Sequence, residues 1–439
     1  MKWILLAAAP FTCSPLAETW GLDAIKTMTT PPDPAFTCNV AVPADPSAAQ
    51  RSACAFNQGD HPSTTLGVPA ATAAQFPIRH IIVMMKENRS FDHLFGRLHD
   101  EGQPGTELEP STYVNPDLQG TPVSAFHEST TCVPYDPGHQ SDSVVEALSS
   151  GAMDGFVRSA AQSTGTDGHF VMGNYEQTDL LFDFWLAATW ALSDRHFAPM
   201  ASGTFGNRNF LLFGTNAGVV DTGVTYPDPS TPSLLQTLMN AGFTWAAYSD
   251  SEPFSGALGW GPGNPGVHSF QDFLDAADQG TLPNVAFVDG VENVTDDHPT
   301  ADLQAGEAWS RQIYQHVIGS PQWPRLAIIW TYDEAGGFAD HALPPVGCAA
   351  APSVSPFTQM GPRVPLVVIS RWAKLGYVSH VEHDHTAITR FIETIFDLPA
   401  LTARDANSDA LLDLFDFSCA QPVSPPPGAP DAGTGGCTG

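Results

Sequence analysis

The sequence predicts an α/β protein with a largely parallel central sheet and helices on both faces. Two observations predict it. Residues 80–85, 243–248, 285–288, 326–331 and 365–369 are short apolar runs, partly β-branched and of strand length. Between and around them lie amphipathic stretches of helical period, at 143–153, 179–191, 232–241, 304–318 and 386–396. Continuous apolar strands alternating with helices are the pattern of a sheet covered on both sides. In such sheets ligands bind beyond the carboxyl ends of the strands, so the chemistry is expected just after these runs.

Composition narrows the partners. The 439 residues carry 17 Lys and Arg against 47 Asp and Glu, a formal charge of −30. A charge of that sign repels phosphate backbones and anionic lipid surfaces, so nucleic-acid binding over a basic surface is excluded. Apolar residues at 42% suffice for a sizeable core. With 38 Gly and 39 Pro, long and well-formed loops are expected.

The longest apolar run, residues 3–11, is too short to cross a bilayer. Behind Met1-Lys2 it reads as a short signal peptide over residues 1–17, although Pro15 and Leu16 fit a small-residue cleavage site poorly. A secreted, periplasmic or cell-surface protein is therefore expected. Removing the leader takes Cys13 away and leaves six of the seven cysteines, an even set suited to disulfides. Cys38 with Cys54 is the local clip that spacing suggests. The absence of a C-x-x-C pair argues against a zinc ribbon or thioredoxin-type site. Residues 18–77 form an extended N-terminal arm in this reading, 78–419 the catalytic domain, and 420–439, where ten residues are Pro or Gly, a flexible tail.

Three segments carry chemistry. After the first strand, Glu87 and Asn88 offer adjacent oxygen donors. After the run at 326–331, Asp333-Glu334 is followed by Gly336-Gly337. Adjacent carboxylates at the end of a buried strand repel each other unless a cation lies between them. In the third segment, Ser202-Gly203-Thr204-Phe205-Gly206-Asn207-Arg208, a Gly-rich turn exposes the Thr204 hydroxyl, and Arg208 faces a phosphate or caps a helix. His139, His298, His341, His383 and His385 complete the set; His298 sits in the loop after the strand at 285–288. There is no G-x-S-x-G elbow, H-E-x-x-H pair, P-loop or Rossmann fingerprint.

Taken in order, these segments resemble a known family. Glu87-Asn88-Arg89-Ser90-Phe91-Asp92-His93-Leu94-Phe95-Gly96 closely resembles the E-N-R-S-F-D-H-x-F-G signature of the bacterial phosphoesterase family. That family contains phosphatidylcholine-hydrolysing phospholipases C, plant non-specific phospholipases C and an acid phosphatase branch. Residues 332–341 resemble its second signature, T-Y-D-E-H-G-G-F-x-D-H, and Thr204 with Asn207-Arg208 resembles its T-x-P-N-R segment. Residues 153–156, 191–195 and 384–386 are further landmarks in the family's order, so the likeness runs from about 78 to 400. Two positions depart from the pattern. Ala335 replaces a histidine and removes a hydrogen-bond donor, and Gly206 replaces a proline and is expected to loosen the nucleophile turn.

The resemblance implies a fold similar to alkaline phosphatases and sulfatases. It implies one divalent metal held by Glu87, Asn88, Thr204, Asp333 and Glu334. An all-oxygen shell favours a hard cation, Ca²⁺ first and then Mg²⁺ or Mn²⁺, over Zn²⁺. Thr204 would be the nucleophile of a phosphothreonine route, and His139, His298 and His341 would bind phosphoryl oxygens or protonate the leaving alcohol. The implied substrate is a phospholipid or a small phosphoester, met in transient contact with a membrane surface. An acid phosphatase acting on monoesters and a non-catalytic binding protein are the alternatives.

Overall fold

Eight strands form the central sheet of the computed structural model, which describes residues 40–221, 231–251, 266–350, 357–418 and 424–434. They are β1 (His80–Lys86), β2 (Ala191–Ser193), β3 (Trp245–Tyr248), β4 (Val267–His268), β5 (Val285–Val288), β6 (Leu326–Tyr332), β7 (Leu366–Ser370) and β8 (Val378–Ser379). Their order across the sheet is β8-β2-β7-β6-β1-β5-β3-β4. From β6 to β4 every pairing is parallel, β8 pairs parallel with β2, and among the strands of this sheet only β7 is reversed. The α/β class with a mostly parallel sheet is therefore as expected. All residues of β5, β6 and β7, and all but the first of β1, are buried. Successive side chains point to opposite faces, so both faces are covered, which is why these strands are continuous apolar runs.

The helices are α1 (Ala48–Ser52), α2 (Pro62–Thr65), α3 (Ala70–Ala73), α4 (Phe91–Phe95), α5 (Ser141–Leu148), α6 (Phe156–Thr164), α7 (Leu181–Thr189), α8 (Thr204–Phe213), α9 (Leu234–Asn240), α10 (Phe270–Gln279), α11 (Leu303–Gly319), α12 (His385–Phe396) and α13 (Ala403–Ala406). The five expected helices are all present with shifted ends. Residue 191, expected to close a helix, instead opens β2, because Trp190 is already extended. The main difference is α8, where a Gly-rich turn was expected. Two glycines and two asparagines at 203–209 lower helix propensity. Packing overrides it: every residue of α8 except Phe205 is buried.

Residues 40–77 contain three short helices rather than a plain extended arm, and they are stitched to the far end of the chain. Gly59 N–H donates to the Ala400 carbonyl (2.8 Å), Asn407 Nδ2 donates to the Phe56 carbonyl (2.8 Å), and Arg51 donates to the Thr65 carbonyl (2.8 Å). The disulfide of this region is Cys54–Cys348, with Cα atoms 5.6 Å apart, and not the expected Cys38–Cys54 clip. With α1 held down by Arg51, Cys54 at its end faces the loop that carries Cys348. Cys13, Cys38, Cys419, Cys437 and the leader at 1–17 lie outside the described residues. At the other terminus, residues 424–434 contact α11. Arg311 donates to the Pro430 carbonyl and pairs with Asp431 (2.7 Å), and Gly433 N–H donates to Glu307 (2.9 Å).

The Cys54–Cys348 bond spans 294 residues of sequence. Replacing both cysteines with alanine is expected to cost about 2–4 kcal/mol, because the unfolded chain regains that loop's freedom. The denaturant midpoint should fall and the slope rise as the unfolded chain expands; an unchanged midpoint would contradict the expectation.

Candidate active site

Register builds the site. Lys86 pairs with Tyr332 where β1 and β6 end side by side, so Glu87-Asn88 and Asp333-Glu334 leave the sheet as neighbours. Asn88 turns sharply there, with φ +66°. Its N–H lies 3.4 Å from Asp333 Oδ1. Gly336, at φ +63°, crosses over it so closely that a Cβ would stand 2.3 Å from the Asn88 carbonyl oxygen. Only glycine meets both conditions. Thr204 is the first residue of α8, preceded by the extended Gly203, and its Oγ1 faces Asn88 Oδ1 at 3.5 Å. The hydroxyl thus sits at a helix N-terminus, where the peptide dipoles favour an anion such as a phosphoryl group.

Arg208, one turn into α8, holds the acidic floor together. Its guanidinium meets Glu87 (2.9 Å), Asp333 (3.0 Å) and Asp289 (3.1 Å) and donates to the Met85 carbonyl (3.1 Å). Burial works against the Arg208 charge, and the three carboxylates more than restore it. Burial raises the Glu87 carboxyl to about 8, with Arg208 opposing the shift. It likewise raises Glu334 to about 8, against the pull of His139. Glu334 Oε2 accepts from Gly336 N–H at 2.7 Å, but Oε1 is buried with no hydrogen-bond partner. A buried carboxylate oxygen without a partner, at a strand end next to the further oxygen donors Glu87, Asn88, Thr204 and Asp333, is chemically suited to a hard divalent cation.

Two histidines border this floor. His139 Nδ1 donates to the Pro137 carbonyl (2.8 Å) and His298 Nδ1 to the Pro299 carbonyl (2.6 Å). Their ring centroids are 5.8 Å apart, and His139 Nε2 lies 3.5 Å from Asn88 Nδ2. Burial lowers the His139 pKa, but Glu334 and Asp136 outweigh it and bring the ring to about 10. One ligand atom each from Asp136, His139 and His298 lie within 4.8 Å of one another, one of three such candidate clusters among the described residues, the others being Asp92 with Asp340 and His341, and His383 with Asp409 and Asp413.

His341 stands apart from that group. Its Nδ1 is 2.6 Å from Asp92 Oδ2, and Arg363 bridges Asp92 (2.8 Å) and Asp340 (2.9 Å). His385 supports the site from behind, donating through Nε2 to the Asp333 carbonyl (2.7 Å) with His196 at its other nitrogen (3.1 Å). His383 contacts Ser193 and Asp409 instead.

Glu87, Asn88, Thr204, Asp333, Glu334, His139 and His298 are thus brought together. Asp289 was overlooked, although its place directly after β5 obeys the strand-end rule. Asp136 carries no sequence signal, because the turn that brings it to His139 is irregular. Gly206 does not loosen the turn: a Cβ there would stand 2.9 Å from Met200 Sδ and 3.2 Å from the Val219 carbonyl oxygen, so the helix start is packed from outside.

With this geometry in place, comparison with known proteins is informative. The model of the Phosphoesterase family matches residues 78–399. The chain belongs to the Phosphoesterase family. The chain is similar to Non-specific phospholipase C1 of Arabidopsis thaliana, 29% identical over 377 residues and covering 76% of this chain and 70% of the plant protein. Phospholipase C B of Mycobacterium tuberculosis is 26% identical over 421 residues, covering 80% of each. Non-hemolytic phospholipase C of Burkholderia pseudomallei is 27% identical over 416 residues, covering 76% of this chain and 57% of that protein. A solved structure from the alkaline phosphatase superfamily, from Vibrio parahaemolyticus, matches 76% of this chain and 69% of its own at 9% identity and TM-score 0.37, a likeness too weak to bear on function. As a Phosphoesterase family member with these relatives, the chain is a phosphoric ester hydrolase.

Two substitutions probe the geometry. Gly336→Ala is expected to push Asn88 aside and reduce turnover by on the order of 100-fold while the protein stays folded by circular dichroism. Arg208→Met leaves Glu87, Asp289 and Asp333 without their shared cation, and chemical denaturation should show a loss of about 3–5 kcal/mol.

Proposed function

We propose that this chain is an exported, metal-dependent phospholipase C that works through Thr204. The observation that carries the reading is the Thr204 hydroxyl at the start of α8, facing Asn88 above the carboxylates of Glu87, Asp333 and Glu334. The phospholipase C names of relatives from plants and bacteria support a phosphodiester substrate. The charge of −30 favours a zwitterionic headgroup such as phosphocholine over an anionic one at long range. The leader-like residues 1–17 and the Cys54–Cys348 disulfide support action outside the cytoplasm.

Glu87, Asn88, Thr204, Asp333 and Glu334 would hold the cation, with Ca²⁺ the first choice for an oxygen set. When bound, a divalent cation lowers the pKa of the threonine hydroxyl and offsets charge on the phosphoryl oxygens. Thr204 Oγ, its proton released to solvent, attacks phosphorus. The Oγ–P bond forms as the bond from phosphorus to the glycerol oxygen breaks. His139, whose Nε2 lies 3.5 Å from Asn88 Nδ2, donates to a phosphoryl oxygen and stabilises the developing charge. His298, whose Nδ1–H is tied to the Pro299 carbonyl, exchanges protons through Nε2. It protonates the departing diacylglycerol, then takes a proton from the water that attacks phosphorus; the Oγ–P bond breaks, Thr204 Oγ regains a proton from solvent, and the phosphorylated headgroup leaves.

The reading is tested by hydrolysis of p-nitrophenylphosphorylcholine beside p-nitrophenyl phosphate, each with and without chelator. The choline diester should be preferred, chelator should abolish turnover, and Thr204→Ala should lower kcat by at least about 1000-fold with an unchanged melting temperature. Preference for the monoester would reassign the chain to phosphatase activity. Retained turnover in Thr204→Ala would remove the nucleophile assignment, and no activity on either ester would favour a binding protein.

A further inference from the structure

Three buried residues outside the proposed chemistry are each the chain neighbour of a residue within it. Lys86 precedes Glu87 at the end of β1, Tyr332 precedes Asp333 at the end of β6, and Asp297 precedes His298 in the loop after β5. The three meet at one atom. Asp297 Oδ2 accepts from Lys86 Nζ at 2.5 Å and from the Tyr332 hydroxyl at 2.5 Å. The Lys86 and Asp297 side chains are 0% and 1% exposed, so the pair is wholly removed from water. Arg89 Nε donates to the Asp297 carbonyl at 2.9 Å, and Glu87 N–H donates to the Asp296 carbonyl at 2.7 Å, which ties the same loop to β1 through backbone.

α11 leaves room for this pair at one residue. A Cβ at Gly306 would stand 1.7 Å from Asp297 Oδ1 and 2.9 Å from Lys86 Nζ. Lys86 Nζ also donates to Ser310 Oγ one turn further along α11 (3.2 Å). Asp297 itself is left-handed, with φ +74°, a conformation that aspartate tolerates better than most residues.

We propose that Lys86, Asp297 and Tyr332 are positioning residues. Their ion pair, sealed in the notch at Gly306, locks the His298 loop onto the two strands that present Glu87 and Asp333. The assignment rests on the reading of the site given above. A buried ion pair adds little net stability compared with well-packed apolar residues but is demanding in geometry, which suits a device whose task is placement. A reacting constellation must be held to within about 0.5 Å, and a loop gains that precision only when anchored to rigid elements.

The test compares Asp297→Asn, Lys86→Met and the double variant with the parent chain. Three quantities are read: kcat and KM on p-nitrophenylphosphorylcholine, the melting temperature, and hydrogen–deuterium exchange over residues 289–300. Asp297→Asn is expected to lower kcat by on the order of 10–100-fold with KM changed less than about twofold. Exchange over 289–300 should quicken by at least about tenfold while β1 and β6 stay protected. The double variant, which removes both members of the ion pair but also takes Lys86 from the nearby buried Asp183 and Glu307, should regain part of the melting temperature lost in the single variants but not kcat. A double variant with parental kcat, or unchanged exchange over 289–300, would overturn the proposal. Exchange reports the anchoring without turnover. A parent chain inactive on this ester would therefore count against the catalytic reading, while the exchange arm alone decided the anchoring.

Discussion

Parallel pairing of β1 with β6 brings two acidic strand ends together, and much of the surrounding structure answers the repulsion this creates. Glu87, Asp289 and Asp333 share Arg208. Asp297 takes Lys86, Asp92 and Asp340 take Arg363, and Asp384 takes Arg404. The chain has only 17 Lys and Arg, yet these four cations are all buried. Scarce positive charge is thus concentrated where the sheet delivers carboxylates, and the acidic excess is left to the remaining surface. Burial raises the Glu87 and Glu334 carboxyls, neighbouring carboxylates add to the shift, and one oxygen of Glu334 is left without a partner.

Much of this was legible in the sequence because strands buried on both faces announce themselves. The runs that became β1, β5, β6 and β7 are apolar on both faces, and the rule that ligands gather beyond their carboxyl ends located Glu87, Asn88, Asp333, Glu334 and His298. The edge strands β4 and β8, and β2 next to β8, are two or three residues long and carry no period to detect. α8 was illegible for a different reason. Its glycines and asparagines speak against a helix, and only burial of nearly every residue makes one. α10 had a readable start in Ser269 and Asp272, whose side chains and backbone cap each other, and was simply missed.

Pairings across long sequence distances were the least accessible. Nothing near Cys54 points to Cys348, and nothing near Arg208 says that its partners come from three strand ends. His341 shows how motif and geometry separate: its signature places it with the catalytic set, whereas its contacts are with Asp92, Glu107, Arg363 and Tyr113. Glycines carried the opposite information. Gly336 looks like turn punctuation in the sequence and Gly306 like an ordinary helix residue, but each marks a place where another group comes too close for a side chain.

The segment at 424–434 has a consequence for how this protein can be trimmed. Glu307 is fully buried; one of its oxygens receives the Phe182 and Asp183 amides at the start of α7, and the other receives Gly433. Glu307 is also the immediate neighbour of Gly306, the notch residue of α11. Cutting the chain before residue 424 would strip a ligand from an enclosed carboxylate on the helix that backs the His298 loop. A stretch whose composition marks it as expendable is, on these contacts, a strap across that helix.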